Sequence, residues 1–245
     1  MDRSYLSDAA VVEASRKFIC IRIAAYENKV EYAFMTAAGR FRTRAKKNSI
    51  FAIMDSAAKT HLVKPGRSPQ FTFDDGLAMA KRMNEIIKET PGKKAMAPSR
   101  LGLPYLESVR VALNVSACDS QRTVVVYALN ARDRKKLEKM LTPLAWSEEL
   151  VGNLLYVAAD EKKDLSTIKG ADTKAPGLIV VEPNEYGTAA KQVAFIALGT
   201  TSTDAKKALI AAAEGNESGS KDSRAHVRKG RAKGLKWKHP VKAPR

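Results

Sequence analysis

The stretch that decides the fold is residues 123–129, which read Thr123-Val124-Val125-Val126-Tyr127-Ala128-Leu129. Four of these seven residues are β-branched and none is charged. Such a run is typical of a strand buried on both faces, at the centre of a mixed or parallel sheet. The apolar patterns around it predict further strands and helices. The predicted strands are 154–158, 177–181 and 192–198, and the predicted helices are 104–114, 132–141, 162–168 and 203–213. Residues 103–215 therefore predict one α/β domain with the order β-α-β-α-β-β-α.

Residues 1–90 predict the same series without its opening strand. A helix begins at Ser7 or Asp8, either of which is a good N-cap, and the apolar run 18–23 predicts a buried strand that contains Cys20. A second helix, two short strands and a third helix follow. Residues 91–102 hold prolines, glycines and exposed charge without apolar periodicity, so they predict a linker between the two domains.

The order of elements in both halves resembles the thioredoxin-like fold. Ala175-Pro176-Gly177 stands directly before a predicted strand, where that family carries a cis-proline, and Glu182–Gly187 stands at the place of its Gly-containing turn. The helix from Ser7 that leads into Phe18–Arg22 resembles the start of such a domain. The resemblance implies an α/β fold class with two thioredoxin-like domains, each a mixed sheet flanked by helices. The first strand of the domain in residues 1–90 is then absent.

The residues that would carry redox chemistry in that family are missing. In redox-active members a CxxC pair opens the first helix, where the helix N-terminus stabilises a thiolate. Here the matching stretch is Asn130–Lys135, in which Arg132 and Lys135 stand at the degenerate CxxC positions. We therefore predict no catalytic residue and a protein that is more an interaction scaffold than an enzyme. The alternative is a thiol-disulfide oxidoreductase whose CxxC lies upstream of Met1.

Positive charge is concentrated at the C-terminus. The chain has 43 Lys+Arg against 26 Asp+Glu, a net charge of +17, and residues 221–245 alone hold ten cations and one acid. Residues 216–245 therefore predict a disordered basic tail that binds a polyanion such as nucleic acid or acidic polysaccharide, with an anionic membrane as a further alternative. The candidate binding residues are Arg224, Arg228, Lys229, Arg231, Lys233, Lys236, Trp237, Lys238 and Lys242, among which Trp237 could stack on a base.

Several other classes of function have no support in the sequence. Three scattered histidines and two separated cysteines make no metal-ligand pattern, and no nucleotide-binding glycine motif occurs. We therefore expect no cofactor and name no protein partner. No stretch approaches the ~20 apolar residues of a membrane span, so we expect a soluble protein. It would be cytoplasmic if Met1 is the true start, and exported if an export signal lies upstream. A nucleic-acid-binding function through the tail remains the third alternative.

Overall fold

The computed structural model describes residues 5–21, 23, 25, 28–39, 49–90, 101–215 and 222–236. These residues fall into two compact units, the first within residues 5–90 and the second within residues 101–236. We describe each unit by itself. No helix in these ranges is both long enough and apolar enough to cross a membrane.

The second unit is an α/β fold built on one mixed six-stranded sheet. Its strands are β1 (Tyr105–Leu106), β2 (Arg122–Tyr127), β3 (Leu154–Ala159), β4 (Ile168–Lys169), β5 (Gly177–Pro183) and β6 (Ala190–Ala197). The strand order across the sheet is β1-β3-β2-β5-β6-β4. β2 is parallel to β3 and antiparallel to β5, and the short edge strands β1 and β4 are each parallel to their neighbours. The predicted strand at 123–129 is confirmed as β2, near the centre of the sheet.

The β-branched run of β2 is buried because helices cover both faces of the sheet. Val124, Val125 and Val126 are each 0% exposed. Val124 and Val126 pack against the helices α5 (Ala131–Ala145) and α6 (Ser202–Glu214), whereas Val125 and Tyr127 pack against α4 (Val109–Asp119) on the other face. Burying each valine contributes about 1.5–3 kcal/mol, which is why this strand fixes the sheet.

The helices that cover the sheet begin at polar caps that the sequence provides. Ser108 opens α4, Asn130 opens α5 and Thr201 opens α6, and each side chain accepts a hydrogen bond from a backbone N–H of the first turn. Such caps satisfy donors that have no partner within the helix. The predicted helices at 132–141 and 203–213 are therefore confirmed as α5 and α6. The helix predicted at 162–168 is wrong beyond its first turn, because Lys162–Leu165 forms a short 3-10 helix and Ile168–Lys169 forms β4, which pairs with β6.

The predicted disordered tail is wrong for the part of it that the structure describes. Residues Ser223–Ala232 form a helix, α7, capped by Asp222, whose side chain accepts hydrogen bonds from the N–H groups of Arg224 and Ala225. A ten-residue helix is marginal by itself, so it needs tertiary contacts as well as a cap. It finds them on the second unit, as described below. Residues 216–221 and 237–245 lie outside the described residues.

The first unit contains three α-helices and no extended strand among its described residues. The helices are α1 (Ala9–Ser15), α2 (Lys29–Ala38) and α3 (Gly76–Glu89). Its core joins α1 and α3 through apolar side chains that include Val11, Ala14, Met79 and Met83. Residues 50–66 contribute two isolated antiparallel bridges, Phe51 to Gly66 and Met54 to His61.

The buried strand predicted at 18–23 is wrong. Ile19 is 86% exposed, Ile21 is 71% exposed and Cys20 is exposed, and the described residues of this stretch pair with no strand. An apolar run becomes a strand only when a neighbouring strand takes up its backbone hydrogen bonds, and none of the described residues does so.

Candidate functional site

The first candidate site is the junction where β2 ends and α5 begins. Tyr127 of β2 lies opposite Gly177 of β5, and this antiparallel register places Pro176 opposite Ala128, two residues before the Asn130 cap. Arg132 and Lys135 are exposed in the first turns of α5. The sheet therefore brings Pro176 to the end of β2 that leads into the degenerate CxxC stretch.

The expected cis-proline is not found. The described residues contain no cis peptide bond, so the bond before Pro176 is trans. Trans is the lower-energy form even before proline. The carbonyl of Pro176 accepts a hydrogen bond from the N–H of Leu198 at 3.0 Å, which ties this residue to the end of β6.

One cation at this junction, Arg134, is committed to structure. Arg134 is only 14% exposed in its side chain and donates to the backbone oxygens of Ala128 and Ala159, at 3.3 and 2.7 Å. It also pairs with Asp160 at 2.7 Å. The Asn130 side chain caps α5 by accepting a hydrogen bond from the N–H of Asp133. Its amide also donates to the Asp133 carboxylate, which lies 3.6 Å from Lys136. An acidic side chain of the same helix, Asp133, therefore already lies at the N-terminus of α5.

Neither cysteine offers redox chemistry at the junction. Cys20 lies in the first unit and Cys118 in α4 of the second, and both are exposed and outside any disulfide. Partial burial of its sulfur raises the pKa of the Cys20 thiol, although the residue as a whole is exposed. A smaller fraction of this thiol is therefore present as the reactive thiolate at neutral pH. The stretch Asn130–Lys135 contains no sulfur.

The second candidate site is the basic helix α7. It holds Arg224, Arg228, Lys229 and Arg231, all exposed, and is followed by the exposed Lys233 and Lys236. These are six of the nine residues that the sequence predicted for polyanion binding. The other three, Trp237, Lys238 and Lys242, lie outside the described residues.

A tight turn of the second unit holds α7 in place. Asn184–Gly187 connects β5 to β6, and Asn184 accepts backbone hydrogen bonds from Tyr186 and Thr188. Gly187 has φ +64°, and a Cβ there would lie 2.5 Å from the backbone oxygen of Leu113, so only glycine fits. The turn predicted for 182–187 is therefore confirmed from Asn184 onward, whereas Glu182 and Pro183 still belong to β5.

The turn contacts α7 along one narrow stripe. The Tyr186 ring stacks on His226 with centroids 4.5 Å apart, and a Cβ on Gly230 would lie 3.0 Å from that ring. Glu185 lies 3.4 Å from the His226 Nδ1 and 3.8 Å from the Lys233 Nζ. Lys233 also sits 5.0 Å above the Tyr186 ring, at cation–π distance.

The opposite side of α7 carries what we call the arginine face, which consists of Arg224, Val227, Arg228 and Arg231. These four side chains line one open depression. No ion pair joins its three arginines to an acid anywhere in the part of the chain that the structure describes. The charge in this face is therefore available to an outside ligand.

Sequence reasoning missed the residues that organise this site. It named the arginines by charge alone and did not single out Glu185, Tyr186 or Val227. The one local signal was Asp222, a helix cap directly before a segment with apolar and basic residues at helical spacing.

The described ranges contain no group of three His, Cys, Asp or Glu side chains that could hold a metal ion. No family model matches this chain, and no curated protein matches its sequence.

Proposed function

We propose that this protein is a redox-inactive scaffold that presents the basic helix α7 to a polyanion. The single observation that carries the proposal is the arginine face, in which three arginines point away from the protein on a helix that is docked by its other side. Unpaired, exposed guanidinium groups on an ordered helix can bind phosphate or sulfate without first breaking internal ion pairs.

The thioredoxin-like part of the proposal is supported by the topology of the second unit. Three parallel strands in the order β1-β3-β2 continue into the antiparallel β5 and β6, and Pro176 lies opposite the end of β2. This is the arrangement that the resemblance implies. The departures are the trans bond at Pro176, the extra edge strand β4 and the sulfur-free stretch Asn130–Lys135. For the first unit the resemblance rests on sequence alone.

The redox-inactive part is tested by an insulin-reduction assay on the full chain. Thiol-disulfide exchange needs an attacking thiolate beside a second thiol, and the Arg132 and Lys135 positions supply neither. We expect no reduction above the rate of the reductant alone. Turnover by this chain would contradict the proposal.

The polyanion-binding part is tested by measuring the affinity of the full chain for a set of fluorescent polyanions at several salt concentrations. The test variant changes four cations of α7 to Gln, and its matched control changes four exposed lysines elsewhere. The α7 variant carries Arg224→Gln, Arg228→Gln, Lys229→Gln and Arg231→Gln, and the control carries Lys59→Gln, Lys81→Gln, Lys88→Gln and Lys139→Gln.

Both variants lose four positive charges, so bulk electrostatics affects them alike. We expect the α7 variant to lose most of its binding, with the log–log salt slope shallower by about 0.7–0.9 for each lost phosphate contact. The control should keep the slope of the unsubstituted chain. Equal losses in the two variants would contradict α7 as the binding site.

A further inference from the structure

We infer that the arginine face of α7 is a binding surface for double-stranded nucleic acid. This inference rests on the proposed function and adds the class of ligand to it. It depends on three features of α7, which are how much of the helix is free, how its arginines are spaced, and what lies between them.

Most side chains of α7 that the structure describes are exposed. The helix touches the 184–187 turn through His226 and Gly230, which are four residues apart and lie on one stripe. The remaining cations are exposed on the other sides of the helix. An α-helix with its side chains is about 10–12 Å wide, and the major groove of a DNA duplex is about 12 Å wide. A helix held by one narrow stripe can therefore enter such a groove.

The arginines repeat along one face of α7. Arg224, Arg228 and Arg231 are spaced i, i+4 and i+7, which places them on the same side of the helix over about 10 Å of its axis. A guanidinium group donates two parallel hydrogen bonds, either to a phosphate or to the edge of a guanine. The lysines of this segment lie off the face, since Lys233 is held at Tyr186 and Glu185.

The centre of the arginine face is apolar. Val227 is 49% exposed and lies between the arginines. A duplex groove offers apolar partners such as thymine methyl groups beside its phosphates. A heavily sulfated sugar chain presents mainly polar and charged groups. One half-exposed valine is too little apolar surface for a helix to insert into a membrane. The mixture of arginine and valine favours a duplex over both alternatives.

The test compares two double variants of the full chain that lose the same charge. One carries Arg228→Gln and Arg231→Gln within the arginine face, and the other carries Lys81→Gln and Lys139→Gln, two exposed lysines outside α7. A third variant, with Arg228→Lys and Arg231→Lys, keeps the charge but removes the two-pronged donors. Fluorescence anisotropy measures binding to a 20-base-pair DNA duplex, a single strand of equal length, heparin and anionic phospholipid vesicles. Circular dichroism checks that each variant keeps its helix content.

We expect the unsubstituted chain to bind the duplex more tightly than the other three probes. The Arg-to-Gln variant should weaken duplex binding by about 100-fold, because the loss of each charge-assisted contact lowers the affinity by roughly tenfold or more. The Arg-to-Lys variant should weaken it by about tenfold, and the Lys-to-Gln variant by less than about threefold.

Three results would overturn the inference in distinguishable ways. Equal losses in the two charge-matched variants would show that the net charge of the chain, and not the arginine face, binds the ligand. Tighter binding to heparin, vesicles or the single strand would replace the duplex by that ligand. If the unsubstituted chain binds none of the four probes, both the inference and the proposed function fail.

Discussion

Two helices of the second unit carry clusters of cations, and they use them differently. The first turns of α5 hold Arg132, Arg134, Lys135 and Lys136, whereas α7 holds the arginine face. Arg134 is bound to two backbone carbonyls and to Asp160, and Asp133 lies at the start of the same helix. The arginines of α7 have no acidic partner among the described residues.

The comparison teaches that the number of cations in a segment does not identify a binding site. What matters is whether the fold supplies carbonyl and carboxylate partners from within the same chain. At α5 the ends of β2 and β3 supply them to Arg134, so this charge stabilises the fold, whereas Arg132 and Lys135 stay exposed. At α7 the turn engages His226, Gly230 and Lys233, and the three arginines have no acidic partner among the described residues. The following variants test that difference.

The largest effect is expected at Arg134. The substitution Arg134→Met removes two hydrogen bonds and an ion pair from a side chain that is mostly buried, and should lower the free energy of unfolding by about 2–3 kcal/mol. The matched substitution Arg228→Met in α7 removes an exposed side chain and should change it by less than about 0.5 kcal/mol. Urea unfolding of both variants measures the difference, and similar values would contradict the comparison.

A smaller effect is expected at the contact that holds α7. The substitution Tyr186→Ala removes the ring stack on His226 and the cation–π contact with Lys233. Together these two contacts stabilise the packing of α7 on the turn by about 1–2 kcal/mol. We expect the amides of α7 to exchange with solvent about 5–30 times faster, while the amides of β2 stay protected. Tyr186→Phe keeps the ring and loses the 3.4 Å hydrogen bond from the Tyr186 hydroxyl to the backbone oxygen of His226, so it should show a smaller change. Unchanged exchange in Tyr186→Ala would mean that the turn does not hold the helix.

The smallest effect is expected at the ion pair between Lys206 and Glu149. The hydrogen bond from Lys206 to Glu149, at 2.8 Å, is the main cause that lowers the pKa of that carboxyl to about 2, from an ordinary value of 4.5. A lowered folded-state pKa means that the stabilisation is present above about pH 4.5 and is lost as the pH falls through about 2. Glu149→Gln should therefore be less stable than the unsubstituted chain at pH 7, and the two should converge near pH 2. Parallel thermal-unfolding curves from pH 7 to pH 2 would contradict this.

The parts of the fold that local sequence determines were predictable. The β-branched run of β2, the caps of α5 and α6, and the 182–187 turn all depend on neighbouring residues, and the structure has them. β1 has only two residues, which is too short for the sequence to show the alternating apolar pattern of a strand. A helix was therefore predicted at 104–114. The structure instead has β1 followed by α4 from Val109.

The parts that depend on distant partners were not predictable. Phe18–Ile23 has the composition of a strand, but the described residues give it no neighbouring strand, and Ile19 remains exposed. The reverse holds for α7, whose composition indicates disorder although Tyr186, 40 residues before His226, gives it a docking contact. Charge alone also could not separate Arg134 from Arg228, because their partners lie in other elements.

The most direct test of the central claim is an NMR titration of the full chain, labelled with ¹⁵N, with a short DNA duplex. The account predicts that amide shifts change in residues 223–232 and in the adjoining 184–187 turn, and that those of residues 131–136 stay in place. Changes centred on residues 131–136, with α7 unaffected, would contradict it.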